Sequence, residues 1–195
     1  RIRALRLIAG DPDTEVLHRE SGCVFRLDPG TVYFSPRESR ERDRLTAIVK
    51  DSDDILVMFS GVGPLPIRIT KGCPTVTATA VELNPVAHNY CVENVHLNRV
   101  SDRVKVIEGD VREVCPRMGK TFDRVMMPLP KGAYKFLDVA VPLLNDGGVI
   151  HLYHWAQEED AFLDAERLIE EGAADYGRSA EFTGRTRVSQ YSPGT

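Results

Sequence analysis

The chain has 195 residues, 42% of them hydrophobic and 28% charged, with a net charge of −4 and a pI near 5.8. That length suits one domain with a substantial core, and the ordinary composition excludes a disordered or fibrous chain. The acidic balance excludes a polycationic nucleic-acid coat, so any contact with a polyanion must come from a local patch.

In chain order, "RIRALRLIAG", "TEVLHRESGCVFRLDPG" and "TVYFSPR" read as short strands set apart by Gly, Pro and Asp turns. Residues 1–36 are therefore expected to form a small β-rich segment ahead of a main domain over residues 37–195. After Pro36, "ESRERDRLTAIVKD" is rich in helix formers and spaces Leu45, Ile48 and Val49 for a helix. Its first half mixes Arg37, Arg40, Arg42 and Arg44 with Glu38, Glu41 and Asp43. It reads as a solvated face, or as a phosphate-contacting patch if Arg1, Arg3 and Arg6 join it.

From Asp54 onward strands and helices alternate. "ILVMF" is a continuous apolar run that suits a strand buried on both faces. A helix is expected from about Leu65, its start restricted by Pro64 and Pro66. "TVTATAVEL" is a second strand of this series. "NPVAHNYCVENVHLN" reads as a helix with Asn84 at the N-cap, Pro85 at the first helical position, and Ala87, Tyr90, Cys91 and Val95 on one face. "VKVIEG" and "FDRVMM" are the third and fourth strands. "AYKFLDVAVPLL" is a helix closed by "NDGG", "VIHLYHW" the fifth strand, and "EEDAFLDAERLIEEGAADYG" the last helix. Alternation at βαβ lengths predicts an α/β fold with a parallel, doubly wound, Rossmann-like sheet.

The loop "FSGVGPLPI" holds Gly61 and Gly63, but Pro66 stands where a dinucleotide fingerprint needs its third glycine. That makes a nicotinamide dehydrogenase a poor reading. No G-K-[ST] follows, so a phosphate-cradling P-loop is excluded. A lone G-x-G serves equally as a steric turn. Glu82, however, ends the next strand twenty-one residues after Gly61, where a carboxylate can accept both hydroxyls of a ribose. Asp110, in "EGDVRE", ends the strand after that, within reach of an adenine amino group. Ligands of open α/β sheets lie beyond the carboxyl ends of the strands. Three adjacent strand ends carrying Gly-x-Gly, Glu and Asp therefore point to an adenosine cofactor without a pyrophosphate, namely S-adenosylmethionine.

The four cysteines, Cys23, Cys73, Cys91 and Cys115, show neither CxxC nor CxxH spacing, and His88 with Cys91 has no companion pair. No metal is expected, and the thiols are read as reduced. No apolar run approaches the roughly 18 residues that span a membrane, and no signal-peptide pattern opens the chain. A cytoplasmic, monomeric protein without membrane contact is the expectation, with upstream sequence ahead of Arg1. His151 is read as bonding locally, and Tyr153 or Trp155 as a stacking surface for a flipped base.

The series "VYFSPRESRER", "MFSGVGPLPI", "AVELNP", "ENVHLNRVSDRVKVIEGDVREV", "DRVMMPLPKGA", "GGVIHLYHW" and "YSPG" resembles the Met-10-like proteins over nearly the whole chain. These are the archaeal and eukaryotic tRNA (guanine-N1)-methyltransferases that modify the guanosine at tRNA position 37. The resemblance implies the Rossmann-like S-adenosylmethionine-dependent methyltransferase fold after a small β-rich segment. It also implies an anticodon-loop guanosine of tRNA as substrate, and a further N-terminal tRNA-gripping domain that this chain lacks. Carried over by residue, Gly61 and Gly63 approach the methionine part of the cofactor, with Phe59 and Val62 in the same loop. Glu82 holds the ribose, Leu83 packs on the adenine, and Asp110, followed by Val111, bonds its amino group. Tyr33 and Arg37 match positions lining the transfer site, and Glu41 matches a general base. Pro128 and Pro130 complete the cofactor-binding set, Pro128 also standing at a catalytic corner. Arg1 and Arg3 join Arg37 as candidates for a contact to guanine O6.

Two positions depart from the family. Val57 stands where an acidic residue is usual, so a hydrogen bond to the cofactor's ammonium group is missing or supplied elsewhere. "PLP", Pro128 to Pro130, replaces "NLP", and proline offers a carbonyl but no donor. Two other functions remain open on the residues. One is a wybutosine-pathway transfer of the 3-amino-3-carboxypropyl group from the same cofactor. The other is a non-catalytic cofactor-binding subunit.

Overall fold

The computed structural model describes residues 6–156 and 162–188. Strands β1 (Val16–Glu20) and β2 (Cys23–Leu27) form an antiparallel hairpin. Five further strands make one parallel sheet: β3 (Asp54–Met58), β4 (Thr77–Glu82), β5 (Val104–Glu108), β6 (Phe122–Met127) and β7 (Leu144–Leu152). Their order is β5-β4-β3-β6-β7, so the chain reverses direction across the sheet between β3 and β6. That is the switch point where such sheets open a crevice at their carboxyl edge. The α/β, parallel, Rossmann-like architecture and the N-terminal β-rich element are as the sequence predicts.

Alternation along the strands divides the core. Ile55 and Val57 of β3 and Ala78 and Ala80 of β4 face one cluster, with Met126 of β6. Leu56, Met58, Val81, Val125 and Met127 face the other. The first cluster is covered by α1 (Ser39–Ile48), α2 (Pro64–Gly72) and α3 (Pro85–Leu97). The second is covered by the short α4 (Val111–Val114), by α5 (Leu137–Ala140) and by α6 (Leu163–Ala174). Each fully buried aliphatic side chain here is worth about 1.5–3 kcal/mol relative to exposure.

The hairpin shares this core, since Cys23, Phe25 and Leu27 pack into the first cluster. Two asparagines one turn apart, Asn94 on α3 and Asn98 capping its end, hold it there. Asn98 accepts from Val24 N at 2.9 Å and donates to Val24 O at 2.6 Å. Asn94 does the same for Arg26, at 2.6 and 3.0 Å. Two side-chain amides thus stand in for a neighbouring strand along the free edge of β2.

Several local expectations need correction. Residues 6–10 and "TVYFSPR" are not strands; the latter is a turn running into a 3-10 turn over Pro36–Glu38, with Val32 buried and Tyr33 exposed. Ile48 is exposed, while Leu45 carries the buried face of α1. Arg42 does not belong to a solvated basic face. It is buried and forks onto Glu20 of β1 at 2.7 and 2.8 Å. The helix expected over "AYKFLDVAVPLL" is a 3-10 turn, the short α5 and another 3-10 turn. Pro142 lacks the N–H that would bond the Asp138 carbonyl, and Tyr176 donates its hydroxyl to that carbonyl instead, at 2.8 Å. β7 starts at Leu144, and "NDGG" is a bulge inside it, between the pairs Phe122 with Leu144 and Arg124 with Val149. Residues 1–5 and the "YSPG" stretch, with Arg1 and Arg3, lie outside the described residues.

Candidate active site at the carboxyl edge of the sheet

The loop after β3 is tightly wound. Phe59, Gly61 and Gly63 all have positive φ, at 58°, 56° and 84°. For Phe59 that conformation is strained by about 1–3 kcal/mol, the kind of strain that gathers at functional sites. Its ring packs edge-on against Phe136, with centroids 4.9 Å apart. The two glycines have different steric reasons. A Cβ on Gly63 would lie 2.7 Å from the Cys91 sulfur, so Gly63 lets α3 approach the loop. A Cβ on Gly61 would meet nothing closer than the Tyr33 carbonyl at 3.9 Å, so Gly61 faces open space. Val62 is fully buried, and its carbonyl accepts from Asn94.

Glu82 ties three strand ends together. Its Oε2 accepts from Gly61 N at 2.7 Å and its Oε1 from Asn84 N at 2.8 Å. Its own carbonyl accepts from Gly109 N at 2.9 Å, in the loop after β5. The carboxylate is half-buried and oriented by two amides, with lone pairs left for further donors. Leu83 beside it is 64% exposed, an aliphatic surface at a strand tip with room for a flat ring. Asp110 caps α4 by accepting from Arg112 N at 2.8 Å, and Val111 behind it is buried. The structure thus brings Gly61, Glu82, Leu83 and the Gly109–Asp110 turn together. The side chains of Val62 and Val111 point into the core, leaving only their main chains to reach a ligand. Val57 is likewise fully buried.

A second group stands at the same edge, beyond β6 and β7. The Met127 carbonyl accepts from Leu129 N at 2.8 Å and Tyr153 N at 3.2 Å, which fixes the turn that opens Pro128–Pro130. Pro128 is half-buried and Pro130 exposed. The Tyr153 hydroxyl donates to Glu41 Oε1 at 3.4 Å. Glu41 is a buried carboxylate, 6% exposed, and Arg44 forks onto both its oxygens at 2.7 Å. Pairing with Glu41 holds the Arg44 guanidinium above its ordinary pKa. Burial first, and Glu41 second, push the Tyr153 phenol up, so it remains a donor at neutral pH. Arg37, Arg40, Glu41 and Arg44, with Thr186–Val188, line an open cavity of about 730 Å³. Tyr33 is not part of that lining; it is half-exposed, and its hydroxyl donates to Glu38 at 2.8 Å.

Tyr153 as a partner of Glu41, and Thr186–Val188 as part of the same cavity, escaped the sequence reading. The Arg44 pairing was visible as an i, i+3 spacing, but the burial that gives it weight was not. His151 bonds locally, as expected. It sits 3.1 Å from Arg124, and burial followed by that arginine lowers its pKa to about 4. Trp155 is 48% exposed, with the Lys131 ammonium 5.1 Å from its ring centroid. Among the described residues no helix is long and apolar enough to cross a membrane.

Known proteins resemble this chain in sequence and fold. A "tRNA (guanine(37)-N(1))-methyltransferase Trm5b" of Pyrococcus abyssi is 39% identical over 193 residues, covering 99% of this chain and 56% of that protein. A "tRNA(Phe) (4-demethylwyosine(37)-C(7)) aminocarboxypropyltransferase" of Methanocaldococcus jannaschii is 33% identical over 158 residues, covering 81% of this chain and 61% of that protein. The crystal structure of M. jannaschii TYW2 in complex with AdoMet superposes with a TM-score of 0.86 at 30% identity, over 97% of this chain and 84% of that one. The chain therefore spans little more than half the length of the curated relatives it matches. The pattern describing the TRM5/TYW2 methyltransferase domain matches residues 16–179, a stretch that holds every strand of both sheets. On that match the chain belongs to the TRM5/TYW2 methyltransferase domain family.

Proposed function

We propose that this chain is the catalytic domain of an S-adenosylmethionine-dependent tRNA methyltransferase that methylates N1 of the guanosine at position 37. The observation that carries the reading is Glu41, a buried carboxylate set beside an arginine-lined cavity at the edge where the sheet opens. When bound, S-adenosylmethionine supplies an electrophilic methyl group on a sulfonium centre. Gly61 leaves room along its backbone, Glu82 receives the ribose hydroxyls, Leu83 covers one face of the adenine, and Asp110 accepts from its amino group. Tyr33, Phe59 and the Pro128–Pro130 turn complete the wall, with Val62 and Val111 offering main chain. Guanine N1 carries a proton and becomes a strong nucleophile only as that proton leaves. Glu41 accepts it, and the Arg37 guanidinium offsets negative charge gathering on O6.

In this reading residues 37–195 are the methyltransferase domain, and residues 1–36 a small segment sharing its core. The enzyme acts as a monomer in the cytoplasm. The carbonyl of Pro128, without an amide side chain, is what distinguishes this corner, and it keeps aminocarboxypropyl transfer as the second reading. Incubating the full-length protein with tRNA and cofactor labelled on either the methyl or the carboxypropyl carbon, then digesting to nucleosides for mass spectrometry, decides. Labelled 1-methylguanosine supports the proposal. Label from the carboxypropyl chain supports the second reading, and no transfer to any tRNA supports a non-catalytic subunit.

A further inference from the structure

Tyr153 stands just past the end of β7 and 112 residues from Glu41 in sequence, yet its hydroxyl reaches the Glu41 carboxylate. The lone pairs of that carboxylate are unequally used. Oε1 accepts from Arg44 Nη2 at 2.7 Å and from the Tyr153 hydroxyl at 3.4 Å. Oε2 accepts from Arg44 Nε at 2.7 Å. A carboxylate oxygen offers two lone-pair sites. Oε1 is therefore filled, while Oε2 keeps one site toward which no described residue donates.

This inference rests on Glu41 being the base. We propose that Tyr153 and Arg44 are positioning residues that fill Oε1 and so direct the guanine N1 proton to Oε2. As the N1 lone pair forms the bond to the methyl carbon, the proton passes to Oε2. The electron pair of the breaking carbon–sulfur bond stays on sulfur, leaving a neutral thioether.

Tyr153 is well built for this part. Its amide is bonded to the Met127 carbonyl, and its ring packs against the first core cluster, so the hydroxyl is held from both sides. The Met127 carbonyl also accepts from Leu129 N. The orientation of Glu41 is therefore tied to the turn that carries Pro128. At 3.4 Å the contact is longer than a strong O–H···O bond, so it steers the carboxylate more than it binds it.

Tyr153→Phe keeps the ring and removes only the oxygen. In single-turnover and steady-state assays of the full-length protein, it is expected to lower kcat about tenfold. The KM for tRNA and the calorimetric affinity for S-adenosylmethionine should stay within about twofold. Arg44→Lys keeps the charge but loses the fork, and should also lower kcat. The deciding readout is the double variant: in a Glu41→Gln background, Tyr153→Phe should cost nothing further, because it acts through Glu41. An equal loss in both backgrounds, a Tyr153→Phe enzyme with wild-type kcat, or a Glu41→Gln enzyme with wild-type kcat each overturns the inference while leaving methyl transfer in place. A wild-type enzyme that transfers no methyl group overturns the inference and the function it rests on together.

Discussion

Gly61 and Gly63 are two residues apart in one loop, and their substitution should read out differently. Gly63 combines φ of 84° with a Cβ position 2.7 Å from the Cys91 sulfur and 3.0 Å from Ile67. Both contacts belong to fully buried side chains. Gly63→Ala should therefore cost about 2–4 kcal/mol from backbone strain and overpacking together. That lowers the thermal midpoint by about 5–15 °C in a domain of this size. Gly61 has open space where its Cβ would be, and φ of 56°, a left-handed value that alanine reaches for about 1 kcal/mol. Gly61→Ala should leave the melting curve of the ligand-free protein within a few degrees, with its main effect on cofactor affinity. Differential scanning fluorimetry and calorimetry on the two variants separate the effects. If Gly61→Ala binds cofactor as the wild type does, the open face of that glycine is not the cofactor's approach.

At the scale of elements, the pair Asn94 and Asn98 shows what the sequence carries and what it hides. The helix "NPVAHNYCVENVHLN" was legible because its cap, its proline and its buried Ala87, Cys91 and Val95 obey local rules. Asn94 and Asn98 follow Ala87 and Cys91 at helical spacing and are buried with them, but their partners lie about 70 residues earlier on β2 and only the folded chain reveals them. The same holds for Glu82, readable as a strand-end acid, against Tyr153, whose partner on α1 only the folded chain supplies. The missed features are those in which a polar side chain answers a backbone or carboxylate distant in sequence. Asn94 donates to the Arg26 and Val62 carbonyls and accepts from Arg26 N. Asn94→Ala leaves those groups without their partner and should destabilise by about 3 kcal/mol. Asn94→Asp keeps the acceptor but turns a charged oxygen toward two carbonyls, so at neutral pH it should be no more stable than the alanine variant. Protonation restores a donor, and urea denaturation should show the aspartate variant gaining on the alanine variant as pH falls from 7 to about 5. Equal stability of wild type and Asn94→Ala would mean that the Asn94 amide contributes nothing to holding the hairpin, leaving Asn98 and the apolar face to do so.

For the whole molecule, charge decides how the domain would meet the RNA of the proposed function. A net charge of −4 repels a polyanion at long range, so binding must rely on a local surface. Arg42, prominent in the sequence cluster, is withdrawn from that surface by Glu20. The structure adds one cation that the sequence cluster did not include, since Arg187 joins Arg37, Arg40 and Arg44 around the cavity. Four arginines can neutralise at most four phosphates. For a single-stranded loop the logarithm of affinity should then fall against the logarithm of salt with a slope no steeper than about −3. Arg44 is partly committed to Glu41, and Arg187 also has an interaction of its own within the protein, which lowers the effective number further. We therefore expect residues 1–195 alone to bind tRNA weakly, with a slope between about −2 and −3 in fluorescence titrations across 50–200 mM potassium chloride. Arg40→Ala should reduce that slope by somewhat under one unit while leaving cofactor affinity unchanged. The Pyrococcus abyssi relative is nearly twice as long as the stretch it shares with this chain. A steep slope from residues 1–195 alone, or tight binding that salt does not weaken, would place the RNA somewhere other than the arginine-lined cavity. The buried carboxylate of Glu41 would then lose the neighbour on which its proposed role depends.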